Sequence, residues 1–177
     1  MYIDGDVTGA GVKTWVAYAA NAAVEVTTGD ATKNITIKFR DMALNESGTA
    51  SDKVELDTTM PVNQGVTIST SGADKWHTPT VNINVAISAT DLNLYEMYID
   101  GDVTGAGVKA WVAYAANAAV ELTSGDGTKN VTIKFRDNAN NESGSAQDSV
   151  LLDTTGPANE AITANGTGAT IEYTPTT

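Results

Sequence analysis

The feature that most constrains the fold of this chain is an internal repeat with a long period. Residues 1–25, MYIDGDVTGAGVKTWVAYAANAAVE, return as residues 97–121 with one substitution. When residues 1–59 are aligned with residues 97–155, 48 of the 59 positions are identical and no gap is needed. The period of 96 residues is much longer than a solenoid repeat and matches one whole β-sandwich domain.

This period divides the 177-residue chain into three parts. Residues 60–155 cover one complete unit, residues 1–59 cover only the later strands of a unit, and residues 156–177 cover the opening strand of a further one. The two flanking parts together still lack the second strand of a unit. Two explanations remain open: an excerpt from a longer array, or a filament subunit that is completed by a strand from a neighbouring chain.

Within the complete unit, apolar residues recur at every second position, which is typical of half-buried strands. The two clearest runs are Val81, Ile83, Val85, Ile87 and Val131, Ile133, Phe135. Shorter strands are predicted at 66–70, 95–100, 111–115, 118–123 and 149–153, with Gly, Asn and Asp turns between them. Seven short strands predict an all-β, immunoglobulin-like β-sandwich, in which the alanine-rich segment 112–120 is not a helix. The predicted core consists of Val81, Ile83, Val85, Val131, Ile133 and Phe135.

Composition excludes several classes of function. Ten basic and 22 acidic residues give a net charge of -12, which disfavours binding to nucleic acid. The chain contains no run of about 20 apolar residues, so we expect no membrane-spanning helix in this segment. It has no cysteine and only one histidine, His77, and this histidine has no counterpart in the next copy. We therefore expect a protein that is not an enzyme.

Three segments carry a family resemblance: SATDLN at 88–93, GDGTKNVTIKFRDNANNES at 125–143 and DSVLLDTTGP at 148–157. They resemble bacterial immunoglobulin-like tandem repeats with an LDTT-x-P linker, which occur in giant surface adhesins, long secreted proteins and phage tail proteins. The resemblance implies an extracellular, cell-surface or virion-tail location. It also implies a structural stalk or fibre segment, whose partners are neighbouring repeats and whose distal tip contacts a glycan or a surface receptor.

One loop departs from the pattern of these repeats. The glycine that the family places after the F strand is Asn140 in the complete unit and Leu44 in the first copy. Asparagine tolerates a left-handed backbone, whereas leucine is strained there. We therefore expect the loop of the first copy to take another shape.

The sequence also predicts a calcium site where two units meet. In an immunoglobulin sandwich the B–C and F–G loops lie at the same end, which here places Asp91 near Asp137 and Asn141. The incoming linker brings Asp57 to that end. Three carboxylates and an amide oxygen suit calcium, and the resemblance likewise implies calcium at the junctions between repeats. The alternative is that these residues cap their own loops in Asx turns.

Recurring aromatic residues leave a second class of function open. The pairs are Tyr2/Tyr98, Trp15/Trp111 and Tyr18/Tyr114. An exposed set of this kind predicts a carbohydrate- or matrix-binding module. Because an immunoglobulin core normally buries one tryptophan and several other aromatic side chains, burial in the core is the competing prediction.

Overall fold

The computed structural model describes residues 1–158, and all of its regular elements are strands. They are β1 (Tyr2–Gly5), β2 (Val7–Thr8), β3 (Glu25–Val26), β4 (Ala31–Lys38), β5 (Ala50–Leu56), β6 (Val62–Ser69), β7 (His77–Thr78), β8 (Asn82–Thr90), β9 (Leu94–Gly101), β10 (Val103–Thr104), β11 (Trp111–Ala113), β12 (Asn117–Leu122), β13 (Gly127–Asp137) and β14 (Ala146–Leu152). The predicted all-β class is confirmed. No helix that is long and apolar enough to cross a membrane occurs in this part of the chain. The strand predicted within residues 156–177 lies outside the described residues.

The complete unit contains two sheets, with strand orders β10-β12-β8-β6 and β11-β9-β13-β14-β7. Neighbouring strands are antiparallel, except that β7 runs parallel to β14. All seven predicted strands are present, and the segment 112–120 contributes to β11 and β12 and forms no helix, as predicted. The predicted number of strands was too low, because the two-residue strands β7 and β10 give no periodic signal.

The core of this unit lies between the inner faces of the two sheets. Alternate side chains of β8 and β13 are buried there: Ile83, Val85, Ile87, Val131, Ile133 and Phe135. Five of the six predicted core residues are therefore confirmed. Val81 is only half-buried because it precedes β8, although it packs against the same cluster. Each fully buried side chain of this size contributes about 1.5–3 kcal/mol relative to exposure.

Residues 1–57 form two smaller sheets, β1-β4-β5 and β2-β3. Their register repeats that of the complete unit, since Tyr2 pairs with Lys38 as Tyr98 pairs with Lys134. Within residues 1–158, however, no strand faces β1-β4-β5 as β6 and β8 face β9-β13-β14. The only buried hydrophobic cluster of this region is correspondingly small, and within the described residues it consists of Met1, Ile3 and Val7.

The prediction that the loop of the first copy takes another shape was wrong. Leu44 has φ 69° and Asn140 has φ 67°, so both loops pass through the left-handed region at the same position. The same bonds close both loops, and in the first copy the Leu44 and Asn45 amides donate to the carbonyl and side chain of Asp41. A left-handed backbone costs a non-glycine residue roughly 1–2 kcal/mol, and these hydrogen bonds offset that cost. The backbone preference of leucine alone does not reveal them.

The two phenylalanines at equivalent positions give a matched test of the core. Phe135 is 0% exposed and Phe39 is 38% exposed. We expect Phe135→Ala to lower the free energy of unfolding by about 3–5 kcal/mol, because it removes a ring from a closed core. Phe39→Ala should cost less than about 1 kcal/mol. Denaturant unfolding of the two variants measures both values, and equal losses would contradict the described packing.

Candidate functional site at the junction of the units

Three acidic side chains meet where the linker after β5 enters the complete unit. Asp57 follows β5 directly, Asp91 lies in the turn between β8 and β9, and Asp137 is the last residue of β13. One carboxylate oxygen from each lies within 4.8 Å of the others. The structure thus brings together the three predicted carboxylate ligands from three separate segments of the chain.

Asp137 is fully buried, and its own loop supplies its hydrogen-bond donors. The backbone amide and the side-chain Nδ2 of Asn141 donate to its two carboxylate oxygens, each at 2.9 Å. In the first copy Asn45 makes the same two bonds to Asp41, at 2.9 Å each, although no linker enters that loop in the described part of the chain. The Asp–Asn loop therefore forms without the junction, as the Asx-turn alternative predicts.

Two side-chain amides tie the linker to the unit that it enters. Asn93 Nδ2 donates to Asp57 Oδ2 at 3.0 Å, and Asn141 Nδ2 donates to the Asp57 carbonyl oxygen at 3.0 Å. Asn141, predicted as a metal ligand, therefore acts here as a donor that bridges its own loop to the linker. Asn93 was not among the predicted ligands, and only its position in the turn after β8 pointed to this end of the unit.

The charge of the cluster is not balanced by a basic side chain. None of the four ion pairs within residues 1–158 includes Asp57, Asp91 or Asp137. Two carboxylates 4.8 Å apart repel each other by about 3.5 kcal/mol at an effective dielectric constant near 20. A hard divalent cation would remove this repulsion, and the three carboxylates supply at least three of the roughly six to eight oxygens that calcium takes.

A second set of bonds ties the linker to the unit that it leaves. Asp30, in the turn before β4, accepts the Thr58 amide at 2.9 Å, the Thr58 hydroxyl at 2.8 Å and the Thr59 hydroxyl. The same bonds recur at Asp126 in the second copy. Donation by the hydroxyl of the second threonine is the main cause that lowers the pKa of each aspartate below 3.8.

The sequence prediction missed this threonine contact. Its signal was present in both copies as a Gly-Asp turn followed, 28 residues later, by the first threonine of the linker. The threonine bonds attach residues 57–59 to the unit that the linker leaves, and the asparagine bonds attach them to the unit that it enters. The linker is thus a hydrogen-bonded connection, and not a free tether.

Of the two alternatives for the recurring aromatics, burial in the core holds for Tyr114, which packs against the core cluster, and does not hold for Trp111, which is only half-buried. Trp111 is paired with Tyr98 across β11 and β9, on the face opposite to the buried Ile99, and the two rings lie 5.5 Å apart. Arg136 and Lys134 lie over the indole at 4.5 and 5.0 Å from its centroid. These cations lie within the range of cation–π attraction to the ring, on the outer face of the sheet.

The single histidine of the chain is part of a local turn. His77 Nδ1 lies 2.8 Å from a carboxylate oxygen of Asp74, and the side chains of both residues are half-exposed. Asp74 also accepts the backbone amides of Trp76 and His77. The hydrogen bond from His77 is the main cause that lowers the pKa of Asp74. Asp74 and His77 therefore stabilise the turn that leads into β7.

In comparisons with known proteins, the chain matches no family model and no curated protein. Function must therefore be inferred from the repeat, the fold and the junction.

Asn141 and Asn45 provide a matched pair for the junction. We expect Asn141→Ala to let the two units reorient, because it removes the bond to the Asp57 carbonyl, whereas Asn45→Ala removes only the equivalent loop bonds. NMR relaxation of backbone amides would report the reorientation as different rotational correlation times for residues 1–57 and 60–155. A wild-type chain whose parts already tumble independently, or equal behaviour of the two variants, would contradict the role of Asn141.

Proposed function

We propose that this chain is part of a tandem array of immunoglobulin-like domains that acts as an extracellular stalk or fibre. The strand order supports the domain type. The order β6-β8-β12-β10 corresponds to the A-B-E-D sheet of an immunoglobulin fold, and β9-β13-β14 corresponds to C-F-G. In this assignment β11 extends the second sheet beside strand C, and β7 adds a short parallel strand beside G.

The observation that carries the proposal is the linker held on both sides. A stalk transmits position over a distance only if successive units keep one orientation, and flexible linkers lose this property as the number of units grows. Here Asp30 binds the linker to one unit, while Asn93 and Asn141 bind it to the next. The near-identity of the two copies also supports a spacer, since spacing requires repetition and no individual binding site.

The proposed location and partners follow from the same reading. An array of this kind stands on a cell surface or a virion tail and holds a distal element that binds a glycan or a receptor. Neighbouring units are its direct partners. Its net charge of -12 favours solubility and keeps parallel stalks apart. The role requires no catalysis, so we propose a non-enzymatic protein.

A carbohydrate- or matrix-binding module is the less supported alternative. Sugar stacking needs the open face of an aromatic ring, and Arg136 and Lys134 already lie over Trp111. In the first copy Arg40 lies over Trp15 in the same way, at 4.4 Å from the ring centroid. Trp15 and Trp111 are therefore better explained as packing on the outer face of the sheet, and Tyr114 packs against the core.

We further propose that calcium binds the cluster of Asp57, Asp91 and Asp137. The donor set and the unbalanced charge support the ion. Asp137 and Asp91 are held by their own loops, so the linker residue Asp57 is the ligand that the ion would restrain. Bound calcium would add stiffness to a junction that the asparagine and threonine bonds already orient.

Asp57 and Asp153 are the matched pair for calcium. Each accepts the backbone amide of the second threonine of its linker. Of these two aspartates, only Asp57 belongs to a cluster with two other carboxylates within the described residues. We expect calcium at about 100 times its Kd to stabilise the wild-type chain and Asp153→Asn by about 2.7 kcal/mol, and Asp57→Asn by much less. Thermal unfolding with calcium and with chelator measures this, and an identical wild-type Tm in both would remove the ion from the proposal.

A further inference from the structure

The two copies present nearly the same side chains with and without a facing β8. Three identical positions show the difference. Phe39 is 38% exposed and Phe135 0%, while Val54 is 47% exposed and Val150 2%. Tyr18 is 72% exposed, whereas its equivalent Tyr114 packs against the core. The side chains themselves do not account for this, so the cause is what lies opposite them.

In the complete unit β8 fills the space opposite these residues. Its inward-facing Ile83, Val85 and Ile87 are buried against the second sheet. At the end of this row the Ile87 amide donates to Ala116 O at 2.8 Å, and the Tyr114 hydroxyl lies 3.5 Å from Ile87 O. In the first copy the space beside Tyr18 and Phe39, the equivalents of Tyr114 and Phe135, is an open groove of about 720 Å³. Its apolar lining consists of Met1, Val16, Ala17, Tyr18, Phe39 and Met42.

The backbone of residues 21–24 is also left without a partner strand. In the complete unit β8 pairs with Asn117–Glu121 of β12 in a five-residue register. In the first copy only Glu25 and Val26 of the equivalent segment form a strand, and they pair with β2. Residues 21–24 therefore present strand-forming sequence with unpaired backbone groups, which is the edge that β-augmentation uses.

Charges at the rim of the groove match the same missing segment. Arg136 forms an ion pair with Glu96, the residue just before the part of the unit, 97–155, that has a counterpart in residues 1–59. Its equivalent, Arg40, takes part in none of the ion pairs within residues 1–158. On the other side, Asp148 accepts the amide of Ile68 in β6 at 2.8 Å, and its equivalent Asp52 is exposed. An acidic residue and a strand amide would each find a partner here.

We infer that the open face of residues 1–57 is an acceptor groove for a β-hairpin with the sequence pattern of β6 and β8, followed by an acidic residue at the position of Glu96. The occupant is a segment of the array that carries this pattern, as residues 61–96 do. This identification rests on the proposed tandem array. A second copy of the described residues is a poor donor, because its own β8 is buried in its own complete unit.

Binding of a peptide in trans tests the groove. The probe is a synthetic peptide with the sequence of residues 61–96, added to the isotope-labelled chain. We expect saturable one-to-one binding, with strand formation at residues 21–24 and resonance shifts at Tyr18 and Phe39. Phe135 and Val120 of the closed unit should not shift, since their own β8 already covers them.

Two controls make the result specific. A peptide with Ile83, Val85 and Ile87 changed to Asp should not bind, and neither should the wild-type peptide to the Phe39→Asp chain. Phe39 is partly exposed, so this variant keeps the fold. The Glu96→Ala peptide should bind the wild-type chain more weakly than the wild-type peptide does. The two peptides should bind an Arg40→Ala chain with equal affinity.

Other results would overturn the inference. One is the absence of binding. Another is binding whose affinity is unchanged by the Asp substitutions in the peptide and by Phe39→Asp in the chain. A third is a chain that dimerises through this groove and becomes monomeric with Phe39→Asp. A chain that does not bind the peptide but keeps one fixed orientation between its two parts would overturn the acceptor groove alone. The proposed stalk would then still stand.

Discussion

The packing of β8 against the second sheet determines how much of each unit is buried. Where β8 is present, its three inward side chains complete a continuous core, and its backbone edge gives β12 a partner along five residues. Where it is absent, nearly identical sequence keeps the strand pairs β1-β4 and β4-β5, while Phe39 and Val54 remain exposed. The β4-β5 hairpin forms by short-range pairing, and β1 pairs with β4 across the intervening β2 and β3. The closed unit needs β8 in addition, because β8 pairs within one sheet and packs its inward side chains against the other.

The junction depends on a different balance, between hydrogen bonds that hold the linker and charges that repel. Asp57 is held through its carbonyl and one carboxylate oxygen by two asparagine side chains, while Thr58 and Thr59 are held by Asp30. Each such bond contributes only about 0.5–1.5 kcal/mol net, so their number matters. Repulsion among the carboxylates acts against them. A cation would convert the repulsion into ligation, which would couple the stiffness of the proposed stalk to its ionic surroundings.

Much of the fold could be predicted from the sequence, because the hydrophobic period of two and the turn residues are local signals. The two-residue strands β7 and β10 carry no such signal, and the backbone of Leu44 is set by bonds that its own preference opposes. The meeting of Asp57, Asp91 and Asp137 was predicted from loop positions in the expected fold. The role of Trp111 was not, because whether an aromatic faces the core or the cations outside depends on strand register, which the sequence left open.

The central claim is that two successive units keep one orientation, and a distance across the junction tests it most directly. The chain contains no cysteine, so a Ser51→Cys, Gln147→Cys double variant can carry two spin labels. Both positions are exposed, and they lie 96 residues apart, on β5 and β14. Pulsed electron paramagnetic resonance then reports the distance between the labels. With calcium present, the account predicts a single narrow distance distribution. A broad distribution, unchanged by calcium or chelator, would contradict it.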